Sequence, residues 1–219
     1  YEDEVIKTYS KYWIQALKEL SIKGDFGIFK THNARIKIDN NFYTDQTTTR
    51  GFIYIVRDPR DVVISRSAYQ KTDIDSTIDI LTKAQITSRE KISDRMPEIT
   101  LNWGDHYQSW KNFSQVPNLF IKYEDLVNDT EKEVKKILEF FFINYNIKID
   151  NESLKIKNAI ASTSFEKLKQ KEGENGFYKT KSNFFRKGTK NQWIDILSKK
   201  QINILEEKFE KQLNDLGYI

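Results

Sequence analysis

The stretch 52–69, FIYIVRDPRDVVISRSAY, constrains the fold of this chain more than any other. Its first part, 52–56, is a short run of β-branched and aromatic residues, which is typical of a buried parallel strand. Asp58 followed by Pro59 supplies a capping residue and a proline at the first helical position, so a helix is predicted to begin there. Arg57 is therefore predicted at the junction of strand and helix. In α/β sheets this is where ligands gather and where helix N–H groups favour phosphate.

Arg57 offers a planar, permanently charged group that suits a phosphate. Ser65 lies about two turns into the same predicted helix. The alternative is that the charged residues of this turn only pair with one another on the surface, since surface ion pairs are common and weak. These charged residues are Arg57, Asp58, Arg60 and Asp61.

The segment VRDPRDVVISRSAY resembles the 3′-phosphate-binding motif of sulfotransferases that use 3′-phosphoadenosine 5′-phosphosulfate (PAPS). In that family the motif arginine and a serine eight residues later hold the 3′-phosphate, and these positions match Arg57 and Ser65. The resemblance implies an α/β fold in which a parallel β-sheet is flanked by helices, similar to the P-loop-NTPase-like sulfotransferase fold.

Composition is consistent with one domain over residues 1–219, with 38% hydrophobic residues and a net charge of +4. No apolar run approaches the ~18 residues of a membrane span, so we expect a soluble piece. The chain has no cysteine, which excludes disulfides, thiolate metal sites and a cysteine nucleophile. The modest, mixed charge disfavours the alternative of a nucleic-acid-binding domain.

Hydrophobic periodicity predicts strands that alternate with helices, which favours a parallel sheet covered by helices. The predicted strands are 26–29, 52–56 and 118–122. The predicted helices are 2–20, 76–92, 103–110, 130–142, 152–161 and one from about Lys199. Residues 35–49 and 167–190 are predicted to be loops.

Lys30-Thr31-His32 follows the first predicted strand and resembles the K-T-H of cytosolic-type sulfotransferases, whose histidine is the catalytic base. Sulfuryl transfer to a hydroxyl requires removal of a proton, and an imidazole titrates in the right range. The resemblance implies His32 as the general base and Lys30 as a cation that offsets developing charge. A purely structural histidine is the alternative, and the Arg57 motif downstream favours the catalytic role.

His106 is the other histidine, and its W-x-x-H-x-x-x-W run is similar to a helical segment of the family. It is predicted to share a helical face with Trp103 and Trp110. We therefore expect an imidazole satisfied within the core rather than a catalyst.

Two short motifs follow in the family's order, Y-E-D at 123–125 and T-S-F at 163–165. The resemblance implies that Tyr123, Thr163 and Phe165 line the adenosine site. Aromatic rings stack on bases, and a phenol donates hydrogen bonds to phosphate. For Tyr123, packing beneath the sheet is an equally open alternative.

The segment 185–193, FRKGTKNQW, resembles the family's R-K-G-x-x-G-D-W. The resemblance implies that Arg186 and Lys187 bind the 3′-phosphate and that Gly188 lets the backbone approach it closely. Asn191 stands where the family has its second glycine, which leaves the geometry of this loop open. A solvated basic loop would be the interpretation if the other motifs were absent.

The family's 5′-phosphosulfate loop, roughly Y-P-K-S-G-T-T-W, has no counterpart here, since no proline precedes Pro59 and no glycine is followed by lysine. Residues 1–20 resemble the sequence just after that loop, so we expect the fold to be N-terminally incomplete, through truncation or disorder. The alternative is a natural remnant, a catalytically inactive sulfotransferase-like module that binds nucleotide without transferring sulfate.

The resemblance implies transfer of a sulfuryl group from PAPS to the hydroxyl or amine of a small-molecule or glycan acceptor, without a metal. It also implies a cytoplasmic protein, and we expect neither a nucleic-acid partner nor a membrane span. Residues 35–49 and 167–185 are expected to shape the acceptor pocket. A homo-oligomer stays open, because no stretch clearly matches the family's short C-terminal dimer motif.

Overall fold

The computed structural model of the chain describes residues 2–20, 22, 24, 27–83, 86–87, 98–175 and 184–219. The helices are α1 (Glu2–Ser10), α2 (Trp13–Glu19), α3 (Pro59–Gln70), α4 (Ile74–Thr82), α5 (Trp103–Lys111), α6 (Tyr123–Asn128), α7 (Thr130–Tyr145), α8 (Glu152–Ser162), α9 (Phe165–Asn175), α10 (Trp193–Ile196) and α11 (Lys199–Leu216). The strands are β1 (Lys37–Ile38), β2 (Asn41–Phe42), β3 (Phe52–Val56), β4 (Ile86–Thr87), β5 (Glu98–Ile99) and β6 (Asn118–Lys122). None of these helices combines the length and the apolar character needed to cross a membrane.

A parallel pair, β3 and β6, carries the site, while β1–β2 and β4–β5 are short antiparallel pairs. The register of the parallel pair places Val56 opposite Lys122, so the two strands end at the same level. The residues that follow them, Arg57 and Tyr123, therefore meet at the carboxyl edge of the sheet, where α/β folds bind their ligands.

Helix α3 begins where the sequence predicts. The carboxylate of Asp58 caps it by accepting a hydrogen bond from the main-chain N–H of Arg60 at 2.9 Å, and Pro59 occupies the first turn. The helix ends at Lys71, which adopts a left-handed conformation with φ of 57°.

The main hydrophobic core lies between α3, α4 and α11. Leu205, Phe209 and Leu213 of α11 are 0–1% exposed and pack in one cluster with Val63 and Ile64 of α3. A smaller aromatic cluster packs the end of α5 and the residues after it against β3. Helix α3, which follows Arg57 and carries Ser65, is thus anchored through its apolar face.

Three predictions are wrong in the described residues, the first being the loop predicted over 35–49, which contains the short antiparallel strands β1 and β2. Residues 27–29 carry no strand, and Phe26 lies outside the described part of the chain. Ile28 and Phe29 are 78% and 62% exposed, so no neighbouring strand pairs with or covers this segment. The loop predicted over 167–190 begins instead as helix α9, because 166–172 is rich in good helix formers.

Three predicted helices have different bounds. The helix predicted over 2–20 is interrupted by a turn at 11–12. The helix predicted over 76–92 ends at Thr82, and Asp73 caps its start by accepting from Ser76 N at 2.8 Å. The helix predicted over 130–142 continues to Tyr145. Within the 76–92 prediction, residues 86–87 form strand β4 instead of helix, while 84–85 and 88–92 lie outside the described residues, as do residues 176–183.

Candidate active site

Arg57 lies directly after β3, and its guanidinium is held from three sides. Its Nη2 donates a hydrogen bond to the main-chain oxygen of Thr189 at 2.8 Å and lies 3.6 Å from Oδ2 of Asp61. Its Cζ lies 4.5 Å from the centre of the Tyr123 ring, in a cation–π arrangement. The Nε–H is buried and finds no acceptor within the described residues. The cation is therefore fixed in place while part of its hydrogen-bonding capacity is unused.

Asp61 of α3 contacts the segment 184–193, which carries the R-K-G motif and is called the basic segment below. Its carboxylate is fully buried and accepts hydrogen bonds from the main-chain N–H of Asn191 at 2.7 Å and of Trp193 at 3.2 Å. Asn191 has φ of 59°, a left-handed conformation that asparagine tolerates better than most residues and that glycine adopts readily. The replacement of the family's second glycine by asparagine is thus compatible with the turn made here.

The basic segment runs along α3. At one end the ring of Phe184 packs edge-on against Tyr69, with 5.9 Å between ring centres, and at the other end Asn191 binds Asp61. Ser65 is exposed and lies one turn from both of these α3 residues on the same helical face. The middle of the segment, which carries the R-K-G motif, therefore passes the level of Ser65.

Gly188 has φ of 64° and touches the ring of Phe165. A Cβ at this position would lie 2.5 Å from Cδ2 of that ring, so no larger residue fits without movement. Phe165 also packs against Phe185, with 6.1 Å between ring centres. The T-S-F and R-K-G motifs, which are distant in sequence, are thus in direct contact.

The remaining predicted nucleotide ligands differ in their surroundings. Arg186 is partly buried and its Nη2 donates to Oε1 of Gln192 at 3.0 Å, whereas Lys187 is exposed. The hydroxyl of Thr163 donates to the main-chain oxygen of Ala159 at 2.7 Å, in the last turn of α8. That contact is local. Among the described residues, no contact joins Thr163 to Arg57 or to the residues that hold Arg57.

Glu172 of α9 also belongs to this region, and the sequence analysis missed it. Its carboxylate accepts hydrogen bonds from the main-chain N–H groups of Phe184 and Phe185, the second at 3.0 Å. The helix-forming composition of 166–172 predicts helix α9, but no local signal in the sequence indicates that Glu172 contacts 184–185.

The second arginine of the motif has a different role from the first. Arg60 is 3% exposed, pairs with Asp58 at 2.7 Å and with Glu206, and lies 3.9 Å from the centre of the Trp193 ring. The charged residues of the motif therefore do pair with one another, as the alternative predicts, but the Arg60–Asp58 pair is buried and stabilises the fold. Arg57, with 19% of its side chain exposed, is the arginine that a ligand can reach.

The segment that carries Lys30 and His32 is held through its main chain. The carbonyl oxygen of His32 accepts a hydrogen bond from Nε2 of His106 at 3.3 Å, and that of Asn33 accepts one from Nε1 of Trp110 at 3.0 Å. The side chains of Lys30 and His32 are exposed. Both groups are therefore accessible to a substrate.

His106 has partners on both ring nitrogens, as expected for a satisfied imidazole. Its Nδ1 lies 2.8 Å from the hydroxyl of Tyr54 in β3. Burial lowers the pKa of His106 below its usual value, although the hydrogen bond to the carbonyl oxygen of His32 opposes part of that shift. His106 is therefore neutral at physiological pH.

Helix α5 connects the two halves of the site. Trp103 donates from Nε1 to the carbonyl oxygen of Arg57 at 3.2 Å, and His106, one turn later, binds the carbonyl oxygen of His32. One helical turn is about 5.4 Å, so the two main-chain attachments are close together. Arg57 and the exposed His32 are thus attached through their main chains to neighbouring turns of one helix, which brings a cation that suits a phosphate near an imidazole that suits proton transfer.

Comparison with known proteins identifies a family for this chain. A family model described as a sulfotransferase domain matches residues 11–217. Sulfotransferase 2A1 of Macaca fascicularis is 24% identical over 203 residues, covering 86% of this chain and 64% of that protein. Flavonol 3-sulfotransferase of Flaveria bidentis is 23% identical over 188 residues, covering 80% of this chain and 58% of that protein.

The crystal structure of mouse sulfotransferase SULT7A1 complexed with PAP has a TM-score of 0.55 and 26% identity, covering 74% of this chain and 58% of that one. The curated relatives are longer, since the chain spans 64%, 61% and 64% of three of them. The family model nevertheless extends over almost all of the residues present, and the α/β fold with its parallel strand pair agrees with it. This chain belongs to the sulfotransferase family.

Proposed function

We propose that this protein transfers a sulfuryl group from PAPS to the hydroxyl or amine of a small-molecule or glycan acceptor. The observation that carries the proposal is the convergence of separate motifs at Arg57. Its guanidinium bonds to Thr189, which is 132 residues away in sequence, and lies over the ring of Tyr123. The Arg57 side chain is 19% exposed beside the basic segment, and this accessible guanidinium suits a phosphorylated ligand.

The 3′-phosphate of the nucleotide would lie between α3 and the basic segment. Arg57 and Ser65 would bind it from the α3 side, and Arg186, Lys187 and Gly188 from the other. Asp61 lies 3.6 Å from Arg57, but its carboxylate already accepts two main-chain hydrogen bonds. The guanidinium of Arg57 is therefore still available to a phosphate.

The adenosine would bind beside these residues. Tyr123 lies next to Arg57, and the ring of Phe165 lies against Gly188. Thr163 comes two residues before Phe165, at the end of α8. Aromatic faces are suitable platforms for a purine base.

His32 would act as the general base. The acceptor oxygen attacks sulfur while His32 takes its proton, the bond between sulfur and the 5′-phosphate oxygen breaks, and adenosine 3′,5′-bisphosphate leaves with both electrons of that bond. Lys30, two residues away, would stabilise the negative charge on the transferring group. No step in this scheme requires a metal.

A small-molecule acceptor is supported by a relative whose name specifies a flavonol. Residues 35–49 lie close to the site in sequence and space, because Tyr43 exchanges a hydrogen bond with Thr31 at 2.8 Å. This segment is therefore proposed to form one wall of the acceptor pocket. A cytoplasmic location and a homo-oligomeric state stay predictions from the family resemblance.

Calorimetric titration of the 219-residue chain with adenosine 3′,5′-bisphosphate, AMP and ATP tests the nucleotide site. We expect binding of the bisphosphate in clear preference to AMP, because only the bisphosphate carries the 3′-phosphate. Equal binding of all three nucleotides would contradict the assignment. If none binds, the titration is repeated with the full-length protein, and a second negative result would end the proposal.

A sulfotransferase-like module that binds nucleotide without transferring sulfate is the second candidate. This function would use the same contacts at Arg57, because those residues would hold the 3′-phosphate and take no part in the transfer of the sulfuryl group. Tight bisphosphate binding without turnover of PAPS in the full-length protein would identify this function.

A further inference from the structure

A chain of hydrogen bonds links β3 to the proposed general base and has no role in the scheme above. The hydroxyl of Tyr54 lies 2.8 Å from Nδ1 of His106, and Nε2 of the same ring lies 3.3 Å from the carbonyl oxygen of His32. Tyr54 belongs to the strand that ends at Arg57. The chain therefore connects the strand of the phosphate ligand to the main chain of the base.

The chemistry of these groups sets the direction of both hydrogen bonds. A main-chain carbonyl oxygen can only accept, so Nε2 of His106 must carry the proton. In the neutral imidazole Nδ1 is then the acceptor, and the hydroxyl of Tyr54 must be the donor. Tyr54 remains able to donate because its burial raises its pKa above the usual value.

The side chain of His32 has no comparable support. It is exposed, and within the described residues no hydrogen bond or ion pair holds its imidazole. The main chain at His32 therefore decides where the base of this side chain lies and which positions the ring can reach. A misplacement of about 1 Å at a reacting group can cost on the order of 100-fold in rate.

We propose that His106 is a positioning residue, which fixes the main chain of His32 through an Nε2–H donor whose tautomer is selected by Tyr54. This inference rests on the proposed role of His32 as general base. The neighbouring main chain has independent anchors, since Asn33 binds Trp110 and Ala34 N donates to Ile99 O at 2.8 Å. Loss of the His106 contact should therefore shift His32 without unfolding the segment.

Steady-state kinetics of the full-length protein compare three variants. His106→Leu removes the donor, and we expect kcat to fall about 10- to 100-fold while KM for PAPS and the melting temperature stay close to wild type. His106→Gln retains an N–H donor at a similar reach, so it should recover most of kcat. Tyr54→Phe leaves the donor but releases the tautomer, and its kcat should lie between the two.

The tautomer is measured separately in the 219-residue chain by ¹⁵N NMR of the imidazole rings. The chain has two histidines, so His106→Gln identifies the signals of each. We expect the wild-type His106 ring to be protonated at Nε2, and Tyr54→Phe to give a mixture of tautomers. Protonation at Nδ1 in the wild type would overturn the inference without any measurement of turnover.

The kinetic outcomes separate this inference from the proposed function. Full activity in His106→Leu, with activity lost in His32→Ala, would overturn the positioning role alone. Equal losses in His106→Leu and His106→Gln, with lower melting temperatures, would make His106 a structural residue and also overturn it. Undiminished turnover in His32→Ala would contradict the proposed catalytic base, and the positioning role with it.

Discussion

The proposed phosphate side of the site, around Arg57, and its proposed base side, around His32, are held in different ways. On the phosphate side the side chains themselves are fixed, since Arg57 contacts Tyr123 and Thr189, and the buried Asp61 binds the basic segment. On the base side Lys30 and His32 have exposed side chains. The contrast fits two tasks, because an unchanging phosphate is best bound by preorganised cations, whereas a base must meet an acceptor that enters from solvent.

The largest effect is expected from His32→Ala. Removing a general base should lower turnover by about 10²- to 10⁴-fold in the full-length protein, because the acceptor proton then has no partner in the transition state. Affinity for adenosine 3′,5′-bisphosphate, measured by calorimetry, should be nearly unchanged. Loss of both properties together would indicate a structural histidine and remove the contrast between the two sides.

Arg57→Ala should weaken binding of adenosine 3′,5′-bisphosphate by about 10- to 100-fold, as expected for loss of charge-assisted hydrogen bonds to a phosphate. Binding of AMP should change far less, since it lacks the 3′-phosphate. Arg50→Ala is the matched control, because Arg50 precedes the same strand at its other end and lies over the ring of Tyr145. An equal loss for both nucleotides in Arg57→Ala would argue against a 3′-phosphate ligand.

Asp61→Asn tests whether a buried carboxylate organises the phosphate side. Weaker hydrogen bonds to the basic segment should lower the free energy of unfolding by about 1–3 kcal/mol, measured by urea denaturation. Bisphosphate affinity should fall less than in Arg57→Ala. The control is Asp79→Asn, since Asp79 forms an exposed pair with Lys83 and should matter by less than about 1 kcal/mol. Similar effects of the two substitutions would mean that Asp61 has no special role.

The smallest effect is expected from Gly188→Ala. A left-handed conformation costs a residue with a Cβ about 1–2 kcal/mol, and the added methyl would press on Phe165. We expect a few-fold weaker binding of the bisphosphate. In Gly173→Ala, by contrast, the Cβ would meet nothing within 4 Å in helix α9, and the helix should be stabilised by about 1 kcal/mol. Unchanged binding in Gly188→Ala would mean that the R-K-G backbone does not approach the ligand.

Local sequence signals were sufficient to predict the strand and the helix start that carry the motif at 52–69. The β-branched run 52–56 and the Asp58-Pro59 cap identified β3 and the start of α3, because strand burial and helix capping depend on neighbouring residues. The same reasoning failed at 26–29, where apolar residues alone suggested a strand. A strand also needs a partner to pair with it, and the described residues 27–29 have none.

The sequence by itself determined the family, the order of the motifs and the candidate ligands Arg57, Ser65 and the R-K-G segment, because these depend on residue type and spacing. Only the tertiary structure decided which acidic residues hold the basic segment in place. Asp61 and Glu172 bind the main chain of the basic segment from helices more than 10 residues away in sequence, and the direction of such contacts is set by packing. The tertiary structure also separated Arg60, buried against Trp193, from Arg57 at the sheet edge, although both belong to one short charged motif.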